Sequence, residues 1–146
     1  ATFVQKVEPP SEVVRLSIPL GWRIPYLAGA CGKVFLAFTG TQERKQALAH
    51  LPRFTQRTIS HPAKYEAEVE AARARGYATD DQEYMDGVRA VAAPVVGASG
   101  ALLGVILVVG LCVRFNVTDM ASFGDLIARK AGDLSGSMGA PAAIRE

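Results

Sequence analysis

The segment from Ala90 to Val113 contains no charged residue, and Arg89 and Arg114 flank it. A transmembrane helix needs about 20 mostly apolar residues, so the length of this segment permits a membrane span. Two features argue against a helix. Pro94 lacks the N–H group that a helix interior requires, and the "GASG" at 97–100 is typical of a turn. These breaks argue that the segment is not one continuous helix, and a membrane-spanning helix stays as the alternative.

Between the breaks, many residues of this segment are Val or Ile, β-branched types that favour strands. The sequence therefore predicts an antiparallel hairpin of two strands, about Gly87 to Val96 and Ala101 to Gly110, joined by the GASG turn. A turn centred between residues 98 and 99 would place Ala90 opposite Leu107.

Both faces of this hairpin are predicted to be apolar. One face would carry Val88, Ala90, Ala92, Val105, Leu107 and Val109. The other would carry Val91, Ala93, Val95, Leu102, Gly104, Ile106, Val108 and Gly110, where the glycines would let a helix approach closely. An antiparallel sheet usually leaves one face in water, so both of these faces need a cover. We expect the last helix on one face, and loops with a short helix near Gly29 on the other. A face covered by loops suits a small-molecule pocket, with a solid core as the alternative.

The rest of the chain alternates strand and helix signals. "TFVQKVE" and "EVVRLSI" predict an opening hairpin around "PPS", and short helices are predicted from Gly29 and over Thr41 to His50, with Thr41 as N-cap. A third helix is predicted from Pro62 to a C-cap at Gly76. Thr118 is predicted to cap a last helix with an apolar stripe of Met120, Phe123, Ile127, Ala131 and Leu134. This order predicts an α+β domain with a mostly antiparallel sheet.

Composition narrows the class of protein. With 146 residues, 49% hydrophobic and 21% charged, the chain suits one globular domain. Its 16 basic and 14 acidic residues are scattered rather than gathered in a basic stripe, which disfavours direct nucleic-acid binding. Cys31 and Cys112 have no metal-ligand spacing, so we predict no metal or cofactor and expect reduced thiols in the cytoplasm.

Two segments carry a family resemblance: "RIPYLAGACGKVFLAF" and "ARARGYATDDQEYMDGVRAVAAPVVGASGALLGVILVVG". They closely resemble the effector-binding domain of the isocitrate lyase regulator (IclR) family of bacterial transcription factors. The resemblance implies a curved antiparallel sheet flanked by helices, similar to GAF domains, over residues 1–138. The sequence of the tail separately predicts fraying at 139–146. It also implies homodimers or homotetramers that bind DNA only through an N-terminal winged helix-turn-helix domain, which we expect to lie outside these 146 residues.

The resemblance also implies an effector site. The N–H groups of Ala30 and Cys31 would favour an anion at a helix start, and Asp80 would add an acidic side chain. Relatives that bind keto acids have small polar side chains where this sequence has Ala90, Leu107 and Val109. An unpaired buried polar group costs about 1–3 kcal/mol, so we predict an effector with an apolar or aromatic body.

Two points stay open in the sequence. Asp80 could hold a ligand hydroxyl or amine, or it could pair with Arg75 or Arg89. Cys31 at a helix start could also serve as the nucleophile of a cysteine-dependent enzyme, with His61 or His50 as base, or as a thiol redox sensor. We predict a binding domain without catalytic residues and keep these as alternatives.

Overall fold

The computed structural model of the protein describes residues 1–8 and 16–141. Within them the chain forms, in order, α1 (Gly29–Ala37), α2 (Thr41–Leu48), α3 (Pro62–Arg75), β1 (Ala78–Asp81), β2 (Val88–Val96), β3 (Leu102–Leu111) and α4 (Val117–Ser137). The three strands make one antiparallel sheet in the order β1-β2-β3. The predicted α+β class is confirmed.

The charge-free segment is a β-hairpin, as predicted, and its strands begin and end within one residue of the predicted bounds. No helix in the described part of the chain is long and apolar enough to span a membrane. The predicted register is wrong, because Ala90 lies opposite Val109 rather than Leu107. The pairing is irregular between Val95 and Val96, a break that the sequence pattern did not reveal.

The pairing of β2 with β3 is shifted by two residues from the predicted pairing. Side chains alternate between the two faces of a strand, so a shift of two residues keeps almost every side chain on its predicted face. On one face, Val91, Ala93 and Val95 pack against α4. On the other, Ala90 and Ala92 pack against α1. Both predicted covers are therefore confirmed. Leu102 is the exception, since beyond the irregularity it packs on the α1 side.

Helix α4 differs from its prediction in detail. Its N-cap is Asn116 rather than Thr118, and the Asn116 N–H donates to Asp119 Oδ2 at 2.9 Å. Met120, Ile127 and Ala131 of the predicted stripe are buried, whereas Phe123 and Leu134 are exposed. The close approach involves Gly124 of the helix instead of glycines of the sheet. A Cβ on Gly124 would overlap the Tyr77 ring, whereas one on Gly104 would meet no atom within 4 Å and one on Gly110 would meet Phe115.

The shorter helices lie mostly where the sequence predicts them. Helix α3 begins at Pro62 and ends at Arg75, and its C-cap is Gly76, whose φ of 81° is left-handed, as predicted for a glycine C-cap. Helix α2 begins at Thr41, but its N-cap is Gly40 and it ends before His50. Strand β1, with only four residues, was not predicted.

The ends of the chain lie partly outside the described residues. The turn and most of the second strand of the predicted opening hairpin fall at 9–15, and the predicted frayed tail falls largely at 142–146. In the described part, Thr2 forms an isolated antiparallel bridge with Arg23, and Phe3 N–H donates to Trp22 O at 3.0 Å. Ala140 is buried, and its N–H donates to Ser135 O at 2.9 Å.

Candidate functional site

A cavity of about 170 Å³ lies on the α1 side of the sheet. Its floor comes from β2 and β3, one wall comes from the start of α1, and the outer wall comes from the irregular segments near the N-terminus. All of the residues that the sequence predicts for an effector site line it: Ala30, Cys31, Asp80, Ala90, Leu107 and Val109. The structure therefore brings the predicted set together in one place.

The floor of the cavity is apolar because of strand alternation. Val88 and Ala90 lie two residues apart on β2, and Leu107 and Val109 do so on β3, so their side chains share one face. Ala90 and Val109 are direct cross-strand partners. None of these side chains can donate or accept a hydrogen bond, so the floor offers a ligand only van der Waals contact.

The outer wall was not predicted from the sequence. It includes the aromatic side chains of Phe3 and Trp22, with Leu16, Ser17, Ile18, Pro19 and Ile24 beside them. The bridge between Thr2 and Arg23 holds two parts of this wall together. Aromatic residues within an irregular stretch were the one available signal, but the sequence alone did not show which face they would cover.

The start of α1 is shaped by close backbone packing. Gly29 has a φ of 49°, and a Cβ on Gly32 would overlap the backbone of Leu27. The Leu27 carbonyl accepts a hydrogen bond from Tyr65 Oη at 3.1 Å. Ala30 and Cys31 therefore occupy the first turn of a tightly held helix, where backbone N–H groups have no partner within the helix.

Asp80 is the acidic side chain of the cavity. It is only 5% exposed, and its Oδ1 accepts a hydrogen bond from the Glu83 N–H at 2.6 Å. Its Oδ2 lies so close to Gly29 that a Cβ there would overlap it. Burial raises the pKa of Asp80, although the Glu83 N–H and the charge of Lys33 partly oppose this rise.

Asp80 is not paired with either arginine that the sequence offered as an alternative, so that alternative is wrong. Arg89 Nε donates to the neighbouring carboxylate, Asp81 Oδ1, at 2.6 Å. Arg75 donates to Tyr77 O at 2.8 Å and to Thr79 Oγ1 at 3.2 Å. β-strand alternation explains the difference, since Asp80 and Asp81 point to opposite faces of β1.

A buried lysine behind the cavity was missed by the sequence analysis. Lys33 is 0% exposed, and its Nζ donates to Glu83 Oε1 at 2.6 Å and to Thr79 O at 2.8 Å, with Glu68 Oε2 at 3.5 Å. This pairing ties α1 to the loop after β1, which supplies Tyr84 and Met85 to the cavity. The available signal was a lone charge inside the apolar helix "GACGKVFLA".

The cysteine alternatives are not supported. Burial raises the pKa of Cys31 to about 12, so its thiol stays protonated at neutral pH and is a poor nucleophile. His50 is exposed and contacts Gln46 O, while His61 precedes α3, and neither lines the cavity. Among the described residues, no group of three or more His, Cys, Asp or Glu side chains is placed to hold a metal ion.

The family resemblance implied an antiparallel sheet flanked by helices, and the structure has this architecture. The chain belongs to the family of bacterial transcriptional regulator IclR C-terminal domains, which matches residues 1–136. The resemblance is thereby confirmed.

Individual relatives support the same assignment. The HTH-type transcriptional regulator BhcR of Paracoccus denitrificans is 33% identical over 129 residues, which are 87% of this chain and 46% of that protein. The HTH-type transcriptional repressor AllR of Klebsiella pneumoniae is 30% identical over 87% of this chain and 47% of its own length. The chain thus spans about half the length of the curated relatives it matches.

Solved structures agree in fold. The IclR protein of Thermotoga maritima superposes with a TM-score of 0.82 at 28% identity, over 94% of this chain and 56% of that chain. Pseudomonas aeruginosa HmgR gives a TM-score of 0.75 at 30% identity, over 97% of this chain and 56% of that chain.

Proposed function

We propose that this chain is the effector-binding domain of an IclR-type regulator, and that its cavity binds a small molecule with an apolar or aromatic body and one polar end. The observation that carries this proposal is the apolar cavity of about 170 Å³ between the sheet and α1. An apolar cavity of about 150 Å³ is large enough for benzene. The size of this cavity therefore suits a single ring with a small substituent.

The polar end of the effector would meet polar groups that line the cavity. We assign its contacts to the backbone N–H groups of Ala30 and Cys31 and to the carboxylate of Asp80. Ala90, Leu107 and Val109 would contact the ring. Small oxo acids such as pyruvate would leave their oxygens unpaired against this floor, at a cost of about 1–3 kcal/mol for each group.

DNA recognition would belong to another part of the regulator. We propose that an N-terminal winged helix-turn-helix domain contacts the DNA. The effector-binding domain described here would signal to that domain whether the cavity is occupied. The regulator would act as a homodimer or homotetramer in the bacterial cytoplasm. The scattered charges of the chain, with a net charge of +2, offer little electrostatic attraction to DNA. We infer no catalytic step, because Cys31, the one cysteine among the described residues that line the cavity, has a pKa raised by burial.

A change of the floor tests the proposal. Replacement of Leu107 and Val109 by serine should weaken binding of benzyl alcohol, since each lost apolar contact is worth about 1 kcal/mol, or about tenfold or more for both. The same change should improve binding of pyruvate, whose oxygens could accept hydrogen bonds from the new hydroxyls. Isothermal titration calorimetry on both proteins measures the two affinities.

The matched control is Leu103→Ser, which makes the same chemical change on β3 at an exposed position outside the cavity. This variant should bind both compounds as the unaltered protein does. Tight binding of pyruvate by the unaltered protein, or an unchanged preference in the double variant, would show that Leu107 and Val109 do not face the effector.

A further inference from the structure

The segment at 82–87 joins β1 to β2 and forms part of the cavity wall through Tyr84 and Met85. We call this segment the wall loop. Met85 is 43% exposed, so its side chain lies at the open edge of the cavity. A ligand in the cavity would therefore meet two side chains whose positions depend on the backbone of this loop.

Two threonines hold the backbone of the wall loop directly before Tyr84. Thr58 Oγ1 donates a hydrogen bond to the carbonyl oxygen of Glu83 at 2.6 Å. Thr55 Oγ1 donates to the carbonyl oxygen of Gln82 at 2.7 Å. Both bonds are at least partly shielded from water, where a carbonyl without a partner is costly. The two hydroxyls therefore fix the two peptide groups that lead into the wall.

The threonines act from outside the cavity. They lie between α2 and α3, and neither is among the described residues that line the cavity. Their own segment is held by further hydrogen bonds. Thr58 Oγ1 accepts the N–H of Thr55 at 2.8 Å and the N–H of Phe54 at 3.0 Å, and Thr55 Oγ1 accepts the N–H of Arg57 at 3.0 Å. The wall loop thus rests on a locally ordered turn.

An aromatic contact joins the same turn to the cavity wall. The rings of Phe54 and Tyr84 meet edge to face, with centroids 5.2 Å apart and an angle of 86° between the planes. This is a favoured arrangement for two aromatic rings. On the basis of the proposed function, we propose that Thr55 and Thr58 are positioning residues for the effector, which hold the wall loop where Tyr84 and Met85 contact the ligand.

The variant Thr58→Val tests this proposal on the full chain. It keeps the shape of the side chain and removes the hydroxyl, so Glu83 O retains only the longer contact with Thr55 Oγ1 at 3.3 Å. The apparent affinity falls with the fraction of molecules whose wall loop is in place, and we expect benzyl alcohol to bind about tenfold more weakly. Thr58→Ser keeps the hydroxyl and should bind as the unaltered protein does. Calorimetry measures these affinities.

The matched control is Thr39→Val at the end of α1. Thr39 Oγ1 also donates to a backbone carbonyl, Phe35 O at 2.9 Å, but Thr39 does not line the cavity or contact the wall loop. This variant should leave the affinity for benzyl alcohol unchanged. An equal loss of affinity in Thr39→Val, or a loss in Thr58→Ser, would overturn the assignment, because the hydroxyl at the wall loop would not be its cause.

The methionine methyl groups give a readout that needs no ligand. Met85 lies in the wall loop, whereas Met120 is buried in the core cluster between α4 and the other face of the sheet. Thr58→Val should shift the nuclear magnetic resonance signal of the Met85 methyl group and leave that of Met120 unchanged. An unchanged Met85 signal would contradict the inference and leave the proposed function in place. If Met85 shifts but the unaltered protein does not bind benzyl alcohol, the proposed ligand class fails and the positioning role of Thr58 is supported.

Discussion

At the scale of single residues, the buried pair of Lys33 and Glu83 carries the sharpest prediction on stability. Lys33→Met removes the cation that faces Glu83 Oε1 at 2.6 Å and leaves a carboxylate in a place where burial already raises its pKa. Breaking a buried pair by removing one partner costs about 3–5 kcal/mol. We expect a loss of that size in the free energy of unfolding, measured by urea denaturation at neutral pH.

Two further variants serve as the control and the rescue for this measurement. Lys130→Met removes an exposed lysine whose nearest carboxylate, Asp133, lies at 3.8 Å, and it should change stability by less than about 0.5 kcal/mol. Adding Glu83→Gln to Lys33→Met should recover part of the loss, because the Glu83 carboxylate is then no longer buried without its cation. A Lys33→Met protein as stable as the unaltered one would show that the pair does not stabilise the fold.

The same pair shows where sequence reasoning at this scale ends. Asp80, Ala30 and Cys31 could be placed because a local motif carried them. The partners of Lys33 could not, since Glu83 is 50 positions away along the chain and meets Lys33 only after α1 packs on β1. A lone lysine in an apolar helix signals a buried partner but does not identify it.

At the scale of elements, the contact between α4 and Tyr77 predicts opposite effects for two glycines of one helix. Gly124→Ala would drive a methyl group into the Tyr77 ring, and overpacking of this kind costs about 1–3 kcal/mol. Gly132→Ala meets no atom within 4 Å and should stabilise the protein by about 0.5–1 kcal/mol, since alanine favours helix. Thermal unfolding of both variants measures the contrast.

The two glycine variants serve as controls for each other, because residue type, helix and substitution are the same. Equal changes in unfolding temperature would mean that α4 does not approach the end of α3 as closely as described. A stabilising Gly124→Ala would contradict the Tyr77 contact directly.

The elements themselves were largely predictable, and the two errors have different causes. The 3.6-residue period of α4 and the alternation of β2 and β3 placed both sheet faces, because those patterns reflect burial on one side. Strand β1 was missed because four residues give too short a pattern. The register failed at Val95 and Val96, where an irregular pairing depends on backbone geometry in the turn rather than on hydrophobicity.

At the scale of the whole molecule, the cavity exists because distant segments meet. The floor could be predicted from strand alternation, but the outer wall could not. Phe3 and Trp22 are brought together by backbone hydrogen bonds between two irregular segments, including the bridge of Thr2 with Arg23. No periodic sequence pattern indicates such pairing. The sequence therefore predicted which face of the sheet is covered, but not the segments that form the outer wall of the cavity.

This outer wall supplies the last prediction. Trp22 is the one tryptophan of the chain, it lines the cavity, and its residue is 48% exposed. A ligand that fills the cavity would displace water from the indole ring, and a less polar surrounding shifts indole emission to shorter wavelength. We therefore expect benzyl alcohol to shift the fluorescence of the protein, with the same midpoint concentration that calorimetry gives.

The control variant Trp22→Phe separates the optical signal from binding. It keeps an aromatic ring in the wall, so the ligand at a hundred times its dissociation constant should still stabilise the fold by about 2.7 kcal/mol, seen as a rise in unfolding temperature, while the tryptophan signal is lost. If benzyl alcohol stabilised the unaltered protein without any change in emission, the segment that carries Trp22 would not close over the ligand. The cavity would then be open on that side, and selectivity would have to come from the sheet and α1 alone.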